Sequence, residues 1–319
     1  MAFKLLVLND PAARYLRHLA QLPDEVDIVA GHQRETFERH LEDAAVVFVG
    51  MGSAALFRDL WPSLKGVRWV HSLAAGVEGL LIPDFAASGV PLTNSRGVFA
   101  RSLAEFVIAG VLFFAKDLRR MLRNQRAGVW EPFDVEELTG RTMGIVGYGE
   151  IGRAAAVRAR ALGMRVIAVR RRVGEPDGVA EKILPPEGIL EVMKESDYVV
   201  AAAPLTPSTR GMVGAREFAA MKPSAVFINV GRGPVVDEQA LVEALATRRI
   251  RGAALDVFEQ EPLPAGHPFW PMDHVLLSPH CADHTDTWLD EAMELFLDNF
   301  RRFQSGAPLR NVVDKQSGY

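Results

Sequence analysis

Three side chains in the C-terminal half of this 319-residue chain have the types needed for acid–base chemistry on an anion. Arg232 lies between Gly231 and Gly233, just past the apolar run Ala225 to Val230. The glycines remove bulk and let the backbone turn sharply. A guanidinium there can bind a carboxylate through two parallel hydrogen bonds. His280 follows Ser278-Pro279 at the end of the apolar run Val275 to Leu277, and an imidazole that titrates near neutrality suits general acid–base work. Glu261, in Glu259-Gln260-Glu261-Pro262, is a candidate partner, because a carboxylate beside an imidazole favours its protonated form and fixes the ring. Each residue also has an ordinary reading, as a surface arginine in a turn or a structural histidine. The chemical reading is favoured because all of them, with Asp256, fall in loops at the carboxyl ends of predicted strands. Ligands bind there in open α/β sheets.

Other chemistries fit less well. His267, His274, His280 and His284 crowd one region, but Ser278-Pro279 argues a loop rather than a helix presenting two rings, and no familiar ligand spacing accompanies them. No metal site is expected. His280-Cys281 suggests a nucleophile dyad, yet neighbours on an extended segment point to opposite faces. The arginine run Arg170-Arg171-Arg172 lacks aromatic interleaving, and the net charge is −4, so no nucleic-acid partner is expected.

The stretch from Met143 to Arg172 supplies a second function. An apolar run, Met143 to Val146, precedes Gly147, Gly149 and Gly152 in a G-x-G-x-x-G pattern. An amphipathic run follows, Ile151 to Leu162, with Gly163 as a C-cap, and then a second apolar run, Val166 to Val169. Strand, glycine turn, helix and strand in this order form half of a dinucleotide-binding unit. Gly147 permits the turn, Gly149 lets a pyrophosphate approach, and Gly152 lets helix and strand pack closely, while the helix N-terminus offers N–H groups to phosphate. Where an NAD-selective acid belongs, the second strand ends in Arg170. A single arginine of this run binding a ribose 2′-phosphate is the sharper reading.

Those loops need an α/β framework, and the pattern provides one. Length allows two domains. Before residue 100, strands are expected at Lys4 to Leu8, Val26 to Ala30, Ala45 to Val49 and Val67 to Val70, with a helix over Pro11 to Leu22 and a polar helix after Ala30. No glycine fingerprint follows the first strand. Arg101 to Arg126 reads as one long helix, its apolar centre Phe106 to Ala115 being buried rather than membrane-spanning. Val173 to Gly188 reads as a loop, Ile189 to Lys194 and Glu238 to Thr247 as helices, and Tyr198 to Ala203 and Gly252 to Asp256 as strands. Thr287 to Gly306 is the last helix. Alternation at this spacing argues doubly wound parallel sheets. The single cysteine, Cys281, allows no intrachain disulfide and fits a reducing compartment. The N-terminus has no signal-peptide pattern, so a cytoplasmic protein is expected.

Taken together, the motifs resemble the D-isomer-specific 2-hydroxyacid dehydrogenase family almost end to end. The matching residues are Gly147-Tyr148-Gly149-Glu150-Ile151-Gly152, Asn229-Val230-Gly231-Arg232-Gly233, Asp256-Val257-Phe258-Glu259-Gln260-Glu261-Pro262 and Ser278-Pro279-His280. In the first domain, Ser72 to Glu78, Thr93 to Gly97 and Ala104-Glu105 also match. The resemblance implies a Rossmann nucleotide-binding domain over 99–287. It also implies a discontinuous, flavodoxin-like substrate domain over 1–98 and 288–319, with a cleft between, and a homodimer formed through the nucleotide domain. It implies hydride transfer between NAD(P)H and a small 2-oxo acid of the glyoxylate or hydroxypyruvate type. His280 would be the proton donor, Glu261 its support, and Arg232 the anchor of the substrate. Cofactor would meet Gly147, Gly149, Glu150, Ile151, Gly152, Ala203, Pro204, Thr209, Val230, Gly231 and Ala282, with Asp256 at the nicotinamide amide. Met51, Ala74, Ala75 and Gly76 would join Arg232 and His280 around the substrate, the N–H groups of Ala75 and Gly76 forming an anion nest. Arg170 departs from the NAD pattern, so Arg170, Arg171 or Arg172 would favour NADP, with NAD still possible. The alternatives are a dinucleotide-sensing corepressor, or a formate or phosphite dehydrogenase of the same superfamily. A formate enzyme would be expected to have a longer N-terminal region and a glutamine before the histidine, where Pro279 stands here.

Overall fold

The computed structural model of the protein describes residues 3–173 and 177–319. The chain divides into two compact units, residues 1–99 with 285–319, and residues 100–284.

In the first unit, β1 (Phe3–Leu8), β2 (Val26–Gly31), β3 (Val46–Val49), β4 (Trp69–Ser72) and β5 (Leu92–Asn94) form a parallel sheet in the order β2-β1-β3-β4-β5. This is the flavodoxin-like order. The central strands β1 and β3 are nearly all apolar because both faces are covered, whereas Asp27 and Ile28 of the edge strand β2 are exposed. The helix Trp288–Ser305 buries Ala292, Met293, Phe296, Leu297 and Phe300 against Leu5, Val7, Phe48 and Trp69. Its apolar residues recur at helical spacing, and the Phe296 ring stacks on Trp69 with centroids 5.5 Å apart.

The second unit carries β6 (Thr142–Val146), β7 (Arg165–Val169), β8 (Lys182–Leu184), β9 (Tyr198–Ala201), β10 (Val226–Asn229), β11 (Gly252–Leu255) and β12 (Val275–Leu277). Their order, β12-β11-β10-β9-β6-β7-β8, is parallel throughout and reverses between β6 and β9. That reversal is the topological switch point of a Rossmann sheet.

Several local expectations need correction. The first helix is a 3-10 helix beginning at Arg14, because the Asp10 carboxylate accepts from Ala12 N–H at 2.9 Å and holds residues 10–13 in a turn. The polar helix is two 3-10 turns, Arg34–Thr36 and Glu38–His40, since only Phe37 and Leu41 there reach the core and so short a segment nucleates poorly. The long helix is two, Ala100–Ala115 and Leu118–Ala127. They are broken where Asp117 takes a left-handed φ of 45° and caps Arg120 N–H. Within Val173 to Gly188, β8 pairs with β7, a three-residue edge strand too short to show a pattern. Residues 174–176 of that loop lie outside the described residues.

One buried group in the first unit makes stability depend on pH. His71, on β4, is fully buried, and Nδ1 lies 2.8 Å from Thr93 Oγ1 while Nε2 has no partner among the described residues. Burial pushes its pKa from 6.5 down to about 3. The unfolded chain therefore binds a proton below about pH 6.5 that the folded chain refuses until about pH 3. Stability from this neutral ring is present above pH 6.5 and lost as pH falls, by a total on the order of 5 kcal/mol. Urea unfolding at a series of pH values should show the wild type losing stability more steeply than His71→Phe on acidification. Equal slopes would mean that the folded protein accepts the proton.

Candidate active site

The glycine turn sits at the switch point. Gly147 has a φ of +100°, and a Cβ there would collide with the Ala203 backbone, so only glycine fits. Its N–H and that of Tyr148 donate to Val169 O at 3.0 and 3.1 Å, tying the turn to β7. At Gly152 a Cβ would lie 2.5 Å from Gly147 O, so the helix Glu150–Ala161 enters close to β6. At Gly149 a Cβ would meet nothing within 4 Å. That open side, facing the first N–H groups of a twelve-residue helix, fits a pyrophosphate. The residues present therefore suit a dinucleotide. At the end of β7, Arg170 N–H donates to Leu184 O at 2.9 Å, and the buried Nε of Arg170 has no hydrogen-bond partner among the described residues. Arg171 and Arg172 are exposed.

Arg232, Glu261 and His280 all belong to the second unit, and a chain of contacts links their loops. Past β10, the Asn229 side chain braces the turn: its Oδ1 accepts from Gly231 N–H at 3.1 Å, and its Nδ2 donates to Arg232 O at 3.3 Å. Arg232 is half-buried, and its Nη1 donates to Gly231 O at 2.9 Å. A Cβ at Gly233 would overlap the Phe258 carbonyl, so glycine lets the Arg232 loop lie directly on the loop that carries Glu261. Glu261 Oε1 accepts from Phe258 N–H at 2.9 Å, and Oε2 lies 2.6 Å from His280 Nδ1. The carboxylate is thus held by backbone on one oxygen and holds the imidazole with the other. His280 Nε2 has no partner among the described residues.

His280 adopts a left-handed φ of 51°, a strained conformation for a residue with a Cβ. Asp256, 1% exposed, holds it there. Its Oδ1 accepts from Ser278 Oγ at 2.6 Å, Cys281 N–H at 3.0 Å and Ala282 N–H at 3.1 Å, gathering the segment on both sides of His280. Ala282 O in turn accepts from Ser102 Oγ at 2.6 Å. Because His280 is left-handed, its segment is not extended, and Cys281 does not alternate with it as the extended reading expects. The thiol lies 3.6 Å from Ser278 Oγ, while the imidazole Nδ1 is engaged by Glu261. The other crowded histidines take separate partners: His267 meets Glu238, His274 meets Leu245 O, and His284 meets Asp283. Burial pushes the Asp283 carboxyl above its usual range, a feature no motif announces.

The remaining positions are divided. Ala203, Val230 and Gly231 are buried beside the glycine turn, whereas Pro204 is exposed. The Thr209 hydroxyl is engaged within its own loop, donating to Pro204 O at 2.6 Å and accepting from Thr206 N–H at 2.8 Å. Met51, Ala74, Ala75 and Gly76 belong to the first unit. Met51 is exposed and the other three are half-buried. Ala74 O accepts from Ser95 N–H and Ala75 O from Asn94 Nδ2, at 3.4 and 2.6 Å. The N–H groups of Ala75 and Gly76 have no partner among the described residues.

Residues 108–282 match the model of the D-isomer specific 2-hydroxyacid dehydrogenase NAD binding domain. A D-3-phosphoglycerate dehydrogenase from Methanocaldococcus jannaschii is 30% identical over 97% of this chain, which spans only 59% of that relative's length. Among solved structures, a D-isomer specific 2-hydroxyacid dehydrogenase from Xanthobacter autotrophicus Py2, in complex with NADPH and MES, is 31% identical with a TM-score of 0.88 and covers 100% of both chains. An NADPH-dependent glyoxylate/hydroxypyruvate reductase from Sinorhizobium meliloti, in complex with NADP and sulfate, is 28% identical with a TM-score of 0.87, covering 99% of this chain and 100% of that one. The chain belongs to the D-isomer specific 2-hydroxyacid dehydrogenases, a family of NAD(P)-dependent oxidoreductases.

Proposed function

We propose that this protein reduces a small 2-oxo acid, of the glyoxylate or hydroxypyruvate type, to the D-2-hydroxy acid, with NADPH preferred over NADH. The observation that carries the reading is the 2.6 Å contact between His280 Nδ1 and Glu261 Oε2. With Nδ1 committed to a carboxylate, the imidazole can carry a second proton on Nε2, the nitrogen free to pass it to a carbonyl oxygen. Bound NADPH supplies the hydride. Glu261 supports the charged ring, and Arg232 orients the substrate's carboxylate. In the first unit, Met51, Ala74, Ala75 and Gly76 are assigned to the substrate, and the N–H groups of Ala75 and Gly76, unpaired among the described residues, support an anion site there.

In the second unit, Gly147, Gly149, Glu150, Ile151, Gly152, Ala203, Pro204, Thr209, Val230, Gly231 and Ala282 are assigned to the dinucleotide. Asp256 holds the His280 loop through Oδ1, and its other oxygen is assigned to the nicotinamide amide. The NADPH preference rests on Arg170, Arg171 and Arg172 standing where an acid would hold the ribose hydroxyls. Complexes of the Xanthobacter and Sinorhizobium relatives with NADPH and NADP support it. Turnover of glyoxylate and hydroxypyruvate with each cofactor tests the reading.

A homodimer through the second unit is supported by exposed apolar side chains gathered in one stretch. Leu118, Met121, Leu122, Val129 and Val135 are exposed there, and Trp130 is 97% exposed. Sedimentation giving a single-chain mass would contradict it.

A further inference from the structure

A hydrogen-bonded cluster, of which Tyr148 alone is buried, joins the glycine turn to the segment that leaves β7. Tyr148, between the first two glycines, is 5% exposed, and its hydroxyl donates to Asp177 Oδ2 at 2.9 Å. Arg153, in the first turn of the following helix, donates from Nε to the same oxygen at 2.9 Å. Asp177 Oδ1 accepts from the N–H groups of Val179 and Ala180 at 3.0 and 3.3 Å. Burial opposes the charge on Asp177, but the Val179 N–H, the Tyr148 hydroxyl and the remaining donors outweigh it and hold its pKa at about 2. Burial and Asp177 push the Tyr148 hydroxyl up to about 12. An ionised carboxylate accepting from an intact phenol therefore persists across the neutral range.

Asp177 lies on the same connection as Arg170, Arg171 and Arg172, between β7 and β8. The Arg170 N–H to Leu184 O bond fixes the base of that connection. Asp177 is the point at which it is tied back to the dinucleotide turn. We propose that Tyr148, Arg153 and Asp177 form a latch that sets cofactor choice, with Tyr148 and Asp177 as positioning residues for recognition of the ribose 2′-phosphate. The inference rests on the reading that Arg170 to Arg172 receive that phosphate. An arginine-bearing segment left loose must be ordered when it grips a phosphate, and that ordering opposes binding. NADH offers these arginines no phosphate, so its affinity does not draw on the latch. The latch acts on the ratio of the two affinities.

The test is Kd for NADPH and for NADH, by fluorescence titration, on the full chain and on Tyr148→Phe, Asp177→Ala and the double variant. Tyr148→Phe keeps the buried ring and removes one oxygen, and thermal melting checks that each variant folds. Tyr148→Phe should weaken NADPH about tenfold and NADH less than about twofold, and the double variant should bind NADPH no worse than Asp177→Ala alone. KM for the 2-oxo acid and kcat at saturating NADPH should not move. Equal weakening of both cofactors overturns the inference and leaves the cluster as a brace for the glycine turn. A greater loss for NADH also overturns it, by placing Asp177 on the ribose hydroxyls. A wild type that binds both cofactors equally overturns the reading of the arginines, and the inference with it.

Discussion

Replacing His280 with alanine should lower kcat by about 10²-fold or more while leaving Kd for NADPH nearly unchanged. The size follows from what is removed. The imidazole is the group at this site whose Nδ1 is fixed by a carboxylate at 2.6 Å and whose Nε2 has no partner among the described residues. Alanine leaves Glu261 in place, still held by Phe258 N–H, but without a proton to pass on. The glycine turn and the end of β7 do not depend on the ring, so dinucleotide binding should survive. Steady-state kinetics with a parallel cofactor titration separates the two effects. Turnover within a few-fold of wild type would remove His280 from the chemistry.

Much of this site was legible because its chemistry needs particular residue types at fixed places. Gly147 must be glycine to take a φ of +100°, and Gly233 must be glycine to lie on the Phe258 carbonyl, so both appear in the sequence as conspicuous small residues beside apolar strands. Most strands of both sheets were legible for a similar reason, since burial on two faces writes continuous apolar runs, whereas the three-residue edge strands β5 and β8 were not. What stayed hidden depends on contacts between distant residues. Nothing local announces that Asp256 gathers Ser278, Cys281 and Ala282, or that this leaves His280 left-handed rather than extended. Asp177 lies 29 residues from Tyr148 with no motif to link them. The break at Asp117 was visible in principle, because aspartate favours a cap over a helix interior, but the apolar periodicity on either side masked it.

Arg232→Ala should raise KM for the 2-oxo acid and lower kcat together, reducing kcat/KM by about 10²–10³-fold. A guanidinium that binds the substrate's carboxylate contributes to binding, and one that also aligns the carbonyl contributes to the transition state, so both parameters should move. The side chain is presented by a turn that Asn229 braces at both Gly231 N–H and Arg232 O, which fixes its direction before substrate arrives. Arg232→Lys should recover little, because an ammonium is a point charge and cannot reproduce a planar fork of donors. An alanine variant with an unchanged KM for the 2-oxo acid would contradict the role of anchor.

The site proposed on Arg232, Glu261 and His280 would transfer hydride to a small 2-oxo acid and favour NADPH. The most direct measurement is kcat/KM for glyoxylate and hydroxypyruvate with NADPH and with NADH, followed by loss of the reduced nicotinamide, with the hydroxypyruvate product resolved by handedness. Turnover of both acids, a D product from hydroxypyruvate and a clear preference for NADPH are expected. Tight NADPH binding without turnover of any 2-oxo acid would contradict this role of the site and would favour a dinucleotide-sensing protein on the same fold.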